Sequence, residues 1–233
     1  MLNKIKKSIL TSAILVSSIA ISTEAYSCTA VTLEGSDNHV VAGRTMEWGF
    51  DWPWSVIYLP EGTINTLTAP KNLELPPFQY KSKYSIIGSG LHKDDSNILL
   101  DGQNSAGLAL SANYLPNFSK YQTVTTEDKH YASVLESITY ILSEFATIQE
   151  VEDNLKDLKV WSDRSTEVNG VAPDVHFLIT DRSGNAIVVE YVRGDVNFYH
   201  LNTDIKVMTN APTYDWHLIN MRNYLNLTNE TTK

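Results

Sequence analysis

Apolar residues along the 233-residue chain follow two rhythms. Up to Tyr114 they come in short β-branched or alternating runs at Thr29–Leu33, Val40–Met46, Ser55–Leu59, Ser85–Gly88, Asn97–Leu100 and Gly107–Tyr114. Runs of this length and composition predict strands that pack on a pleated surface. The proline-bearing stretch Ala69–Phe78 predicts a long loop, and Gly102–Ser105 predicts a turn. After Tyr131 the period changes. Val134, Leu135, Ile138, Ile141, Leu142 and Phe145 recur at helical spacing, so one face of a helix is buried there. Thr147-Ile148-Gln149-Glu150 has the form of a capping box and opens a second helix along Ile148, Val151, Leu155 and Leu158. Strands resume at Val175–Thr180, Ala186–Val192, Asn197–Leu201 and Lys206–Thr209, with a tight turn at Asp181–Asn185. Asp215–Leu227 reads as a closing helix. This order predicts an α+β fold, a layered sandwich with mostly antiparallel sheets. Regular βα alternation is missing, which argues against a doubly wound sheet or a TIM barrel.

The first 27 residues follow neither rhythm. Lys4, Lys6 and Lys7 precede an apolar run, Ile9 to Ile21, that is diluted with Ser, Thr and Ala. Ala25 and Ser27 then place small residues at the −3 and −1 positions of a cleavage site. Residues 1–27 therefore read as a secretory signal peptide, and 28–233 as one exported domain, periplasmic or extracellular. The apolar run is too short and too rich in serine for a good membrane span, so none is expected after cleavage. A lipoprotein signal, with Cys28 carrying the anchor, is a competing reading of the same segment.

Charge and cysteine count narrow the chemistry. The net charge is −9, and removing the signal takes three lysines but only one glutamate, making it more negative. Such a surface repels phosphate backbones, which excludes nucleic acid as an expected partner. A single cysteine allows no internal disulfide and no cysteine-rich zinc site, and His39, His176 and His217 show no ligand spacing. Cleavage before Cys28 would expose a thiol and a free α-amine on one residue. The amine titrates at about 7.7–8 and the thiol at about 8.5, so the amine can take the thiol's proton without a histidine. A nearby cation lowers both values. Arg44 supplies one if its strand pairs with the strand that starts at Thr29, and Glu47 could hold both amine and guanidinium.

At these residues the chain resembles a known family. Cys28-Thr29, Gly43-Arg44-Thr45-Met46-Glu47-Trp48, Asp101-Gly102-Gln103-Asn104-Ser105-Ala106-Gly107-Leu108, Thr209-Asn210-Ala211-Pro212-Thr213-Tyr214-Asp215-Trp216-His217 and Asn220-Met221-Arg222-Asn223-Tyr224 resemble, in order, the motifs of the choloylglycine hydrolase and penicillin V acylase family. These are the cysteine branch of the N-terminal nucleophile hydrolases. The resemblance implies a four-layer αββα sandwich, here without the C-terminal part that contributes a second active-site arginine. It implies Cys28 as nucleophile and, through its amine, as base and acid. Arg44 and Glu47 would orient and polarise it, with Glu47 standing where the family carries an aspartate. Asn210, through its side-chain amide, and Tyr114, through its backbone N–H, would bind the oxyanion. Trp48, Trp52 and Leu115 are the expected substrate contacts.

The expected function is an exported amidohydrolase that cleaves a linear non-peptide amide through a Cys28 thioester. Penicillin V-type amides, conjugated bile salts and N-acyl homoserine lactones are the substrates implied. No metal or cofactor is called for; the partner is a small amide, and a homotetramer is compatible with the resemblance. The alternative is non-catalytic: a truncated, inactive homologue, or a Cys28-anchored lipoprotein with a binding role.

Overall fold

The computed structural model describes residues 27–37, 39–47, 51–93, 96–168, 170–202 and 206–224. The expected signal up to residue 26, Trp48, and residues 225–227 of the expected closing helix lie outside them. The first half carries strands β1 (Thr29–Glu34), β2 (Val40–Thr45), β3 (Trp54–Leu59), β4 (Ile64–Leu67), β5 (Phe78–Lys81), β6 (Ile86–Lys93), β7 (Ser96–Asn104) and β8 (Ala109–Tyr114). The short strand β9 (Tyr131–Ser133) leads into helices α1 (Val134–Glu144) and α2 (Ile148–Asp157), followed by β10 (Lys159–Trp161). The chain continues through β11 (Val175–Thr180), β12 (Ala186–Val192), β13 (Asp195–His200), β14 (Lys206–Thr209) and helix α3 (Tyr214–Met221).

Seven strands form one antiparallel sheet in the order β13-β12-β11-β8-β7-β6-β3, and three form a smaller one in the order β14-β1-β2. Both helices of the pair begin at capping boxes. Ser133 Oγ accepts the Glu136 N–H while Glu136 Oε2 accepts the Ser133 N–H, and Thr147 with Glu150 does the same for α2. Ile138, Ile141 and Leu142 of α1, with Val151 and Leu155 of α2, bury their stripe against Leu99, Leu110, Phe177, Ile179 and Val189 of the large sheet. The opposite face of that sheet presents Leu178 and Val188 to Ala30 and Met208 of the small sheet. Strand β11 is thus buried along both faces, which is why its sequence is an apolar run and not an alternation. The small sheet leaves one end of the large sheet uncovered, where Val56, Tyr58 and Ile87 are 80%, 63% and 58% exposed.

Two elements differ from the sequence reading. The turn expected at Gly102–Ser105 comes later, because β7 runs on to Asn104 and the chain reverses at Ser105–Gly107. Gly107 supplies the positive φ (+94°) that this reversal needs, and a Cβ there would meet the Arg182 side chain. The expected loop Ala69–Phe78 lies one residue earlier, at 68–77, between the hairpin strands β4 and β5, with one 3₁₀ turn at Lys71–Leu73.

Asn104 ties that reversal to the helix layer. Its Nδ2 donates to the carbonyls of Leu142 (2.8 Å) and Phe145 (2.7 Å), and its Oδ1 accepts from the Ala106 and Leu108 N–H groups. Asn104→Ala would leave buried carbonyls at the end of α1 unpaired, and should lower stability by about 2–4 kcal/mol. In urea the midpoint should fall with an unchanged slope. A loss within experimental scatter would show that the turn closes without the amide.

Candidate active site

Cys28 stands one residue before β1 and is buried, 3% exposed. Its thiol donates to the Glu47 carbonyl at 3.5 Å. Strand β1 pairs with β2 as expected, which sets Thr29 opposite Thr45 and Ala30 opposite Arg44. The chain leaving β2 then brings Glu47 back to the start of β1, where its Oε2 accepts the Ser27 N–H at 3.0 Å. The carboxylate therefore sits against the peptide that precedes the nucleophile.

Arg44 crosses from the small sheet to the large one. Its Nη1 donates to the Leu100 carbonyl at 3.3 Å and lies 3.7 Å from Asp101 Oδ2. Its Nε is buried and has no hydrogen-bond partner among the described residues. Asp101 Oδ2 also accepts from Ser111 Oγ at 2.7 Å. Burial pushes the Asp101 carboxyl above its ordinary range, against the opposing effects of Ser111 and Arg44. Asp101 lies within a quoted motif, yet only the approach of the two sheets reveals it as the partner of Arg44.

Tyr114 ends β8 and Asn210 follows β14, ninety-six residues on. The Ala211 N–H donates to the Tyr114 carbonyl at 2.9 Å, and the Tyr114 N–H donates to Asn210 Oδ1 at 3.0 Å. The two groups expected to bind an oxyanion are brought together, with that N–H engaged by the asparagine. The His217 ring holds the Asn210 carbonyl at 3.0 Å. Asn113, which the sequence reading passed over, donates through Nδ2 to the Met208 carbonyl at 3.0 Å and to the Cys28 carbonyl at 3.4 Å.

Cys28, Arg44 and Tyr114 line a small, mostly apolar cavity of about 60 Å³, partly open to solvent. Trp52 and Trp54, with ring centroids 5.8 Å apart, form part of its wall, with Met46 and Val171. Burial, and to a lesser extent the charge of Asp174, raises the Tyr114 phenol above its ordinary value. Leu115 does not reach this cavity. It is completely buried and its N–H donates to the Asp174 carbonyl at 2.7 Å. Neighbouring side chains on an extended backbone point to opposite faces, so Tyr114 and Leu115 could not both face substrate. No group of three or more potential metal ligands occurs among the described residues.

Residues 28–233 match the model of the linear amide C–N hydrolases, choloylglycine hydrolase family. The chain belongs to this family, and its architecture is the α+β sandwich of the N-terminal nucleophile hydrolases. It is 30% identical over 200 residues to a bile salt hydrolase/transferase of Clostridium perfringens, an alignment covering 86% of this chain and 58% of that one. With a penicillin V acylase of Pectobacterium atrosepticum it shares 27% over 184 residues, or 78% of this chain and 48% of the other. Among solved structures, a variant of the conjugated bile acid hydrolase from Clostridium perfringens matches with a TM-score of 0.75 at 27% identity, covering 88% of this chain and 60% of that one. Penicillin V acylase from Agrobacterium tumefaciens matches at 0.71 and 26%, covering 86% and 58%. The chain spans 58–61% of the length of the bile salt hydrolases of Clostridium and Bifidobacterium that it matches.

Asp101→Asn provides a test with a defined sign. A raised folded pKa means that the folded state holds its proton over a range where the unfolded chain has lost it, so this group's contribution to stability falls as pH rises. Unfolding measured upward from about pH 4 should therefore show wild type losing stability relative to the asparagine variant. A constant difference across that range would mean that Asp101 titrates alike in both states.

Proposed function

We propose that this chain is an exported amidohydrolase whose nucleophile is the N-terminal Cys28 of the mature protein. The observation that carries the reading is the setting of one residue: the Cys28 thiol opens on an apolar cavity with Arg44, and Glu47 holds the peptide just before it. The family match begins at Cys28, which supports removal of residues 1–27. Cleavage would turn the Cys28 nitrogen into an α-amine within the field of Glu47.

The chemistry follows from that amine. It takes the thiol proton, and the thiolate attacks the carbonyl carbon of the bound amide. Negative charge forms on the carbonyl oxygen, where Asn210 Nδ2 and the Tyr114 N–H can meet it once the latter exchanges its bond to Asn210 Oδ1. The protonated amine then gives its proton to the leaving nitrogen, the C–N bond breaks, and a thioester remains on Cys28. Water, deprotonated by the same amine, releases the acid. Arg44 lines the same cavity as Cys28 and supplies a cation to the wall where negative charge develops. The aromatic and aliphatic lining suits an apolar acyl group. That supports penicillin V-type amides and conjugated bile salts, the substrates named by the relatives, and long-chain N-acyl homoserine lactones as a further class.

Protein beginning at Cys28 should hydrolyse at least one of these amides, whereas precursor shown intact by mass should not. Cys28→Ala should abolish turnover, and Asn210→Ala should lower kcat about 10²–10³-fold. Full activity of the intact precursor would rule out the amine as base. Turnover by the alanine variant would place the chemistry elsewhere. A diacylglycerol adduct on Cys28 would favour the anchored, non-catalytic alternative.

A further inference from the structure

The core between the two sheets is largely apolar; besides the Thr32–Thr180 hydroxyl contact and the Arg44–Asp101–Ser111 set, it holds one row of buried polar side chains. Asn113, His176 and Glu190 sit on the adjacent strands β8, β11 and β12, are at most 1% exposed, and face the small sheet. His176 is directly opposite Asn113, and Glu190 follows one step beyond the Val189–Phe177 pair. Each side chain grips backbone belonging to the site. Asn113 holds the Met208 and Cys28 carbonyls. His176 Nε2 lies 2.7 Å from the Thr209 carbonyl, which can only accept, so that nitrogen carries a hydrogen. His176 Nδ1 lies 2.8 Å from Glu190 Oε1, and the same Oε1 accepts the Tyr214 N–H at 2.8 Å. The row therefore clamps residue 209 on one side of Asn210 and residue 214 on the other.

Stability does not account for this pair. Replacing a buried ionisable pair by apolar residues of similar volume is often neutral or stabilising. Glu190 Oε2 moreover lies buried without a hydrogen-bond partner among the described residues, an arrangement that costs free energy. What the pair secures is geometry: it fixes the short segment that carries Asn210 against the strand that carries Tyr114.

We propose that His176 and Glu190 are positioning residues that hold the Asn210 amide in register with Cys28. The kinetic consequence rests on the acyl-transfer reading above; the structural one does not. The paired replacement His176→Phe/Glu190→Leu removes both clamps without stranding a lone charge, and Glu190→Gln is the conservative companion. The same Oε1 faces both His176 Nδ1 and the Tyr214 N–H, so a glutamine whose amide nitrogen turned to Nδ1 would lose the Tyr214 contact. In ¹H–¹⁵N spectra of isotopically labelled protein, the Asn210 side-chain amide pair, identified by its loss in Asn210→Ala, should shift or broaden in both variants. In turnover, displacement of an oxyanion donor should lower kcat about 10- to 100-fold with KM nearly unchanged. The decisive comparison is the Asn210→Ala background, where the same replacements should cost less than about twofold, because the group they position is gone.

An equal loss of kcat in both backgrounds would overturn the proposal, as would unshifted Asn210 amide signals. Should wild type hydrolyse none of the amides offered, the functional reading fails and the amide signals still decide the positioning claim. Failure of both variants to fold would assign the row to stability alone and overturn it too.

Discussion

Everything at this site depends on β1 being the middle strand of its sheet. Hydrogen-bonded on one side to β2 and on the other to β14, it has no freedom to slide, because a slip would break two ladders at once. Cys28 is the residue just before that strand. The two neighbours bring to it the residues proposed to act with it, Arg44 and Glu47 from the β2 side and Asn210 from the β14 side. Groups separated by as many as 182 positions in the chain are thereby held around one thiol without any long side chain having to reach across open space.

The second constraint is the face-to-face packing of the two sheets. Most of that interface is apolar, so the few polar groups within it are conspicuous by what they contact. Arg44, Asp101 and Ser111 form one partly buried set, Asn113, His176 and Glu190 a fully buried one, and Thr32 with Thr180 a third. In a low-dielectric interior a satisfied polar contact is strong and directional, whereas apolar packing tolerates small shifts. The polar sets therefore do what hydrophobic burial cannot: they choose one registration of the sheets among several that would bury similar area.

Legibility in the sequence followed range. The helix stripes and the capping box at Thr147 are local patterns, and α1, α2 and most long strands stood where these placed them. Strands β4, β5, β9 and β10, of three or four residues, are too short for a period to register. Cys28, Arg44, Tyr114 and Asn210 could be picked out from motifs and are brought together around one cavity and one hydrogen bond. Leu115 was misplaced because a motif does not say which way each side chain faces. Asp101 lies in a motif that does not reveal its partner Arg44, 57 positions away, and Asn113, His176 and Glu190 carry no local mark, their roles arising from the meeting of the two sheets.

The glutamate at position 47 is where the structure and the chemistry meet most closely. In the uncut chain its carboxylate accepts a neutral amide N–H from Ser27. In the proposed mature protein that peptide is gone, and the nearest donor is the Cys28 α-amine one residue along, about 3.8 Å further by backbone geometry. Glutamate has one more rotatable bond than aspartate, and Glu47 is exposed, so its carboxylate can follow the nitrogen inward. The bond it then makes joins opposite charges, shorter and roughly twice as strong as the neutral contact it replaces. The extra methylene is therefore compatible with both halves of the reading: a carboxylate that steadies the precursor's scissile region and then holds the amine that cleavage creates.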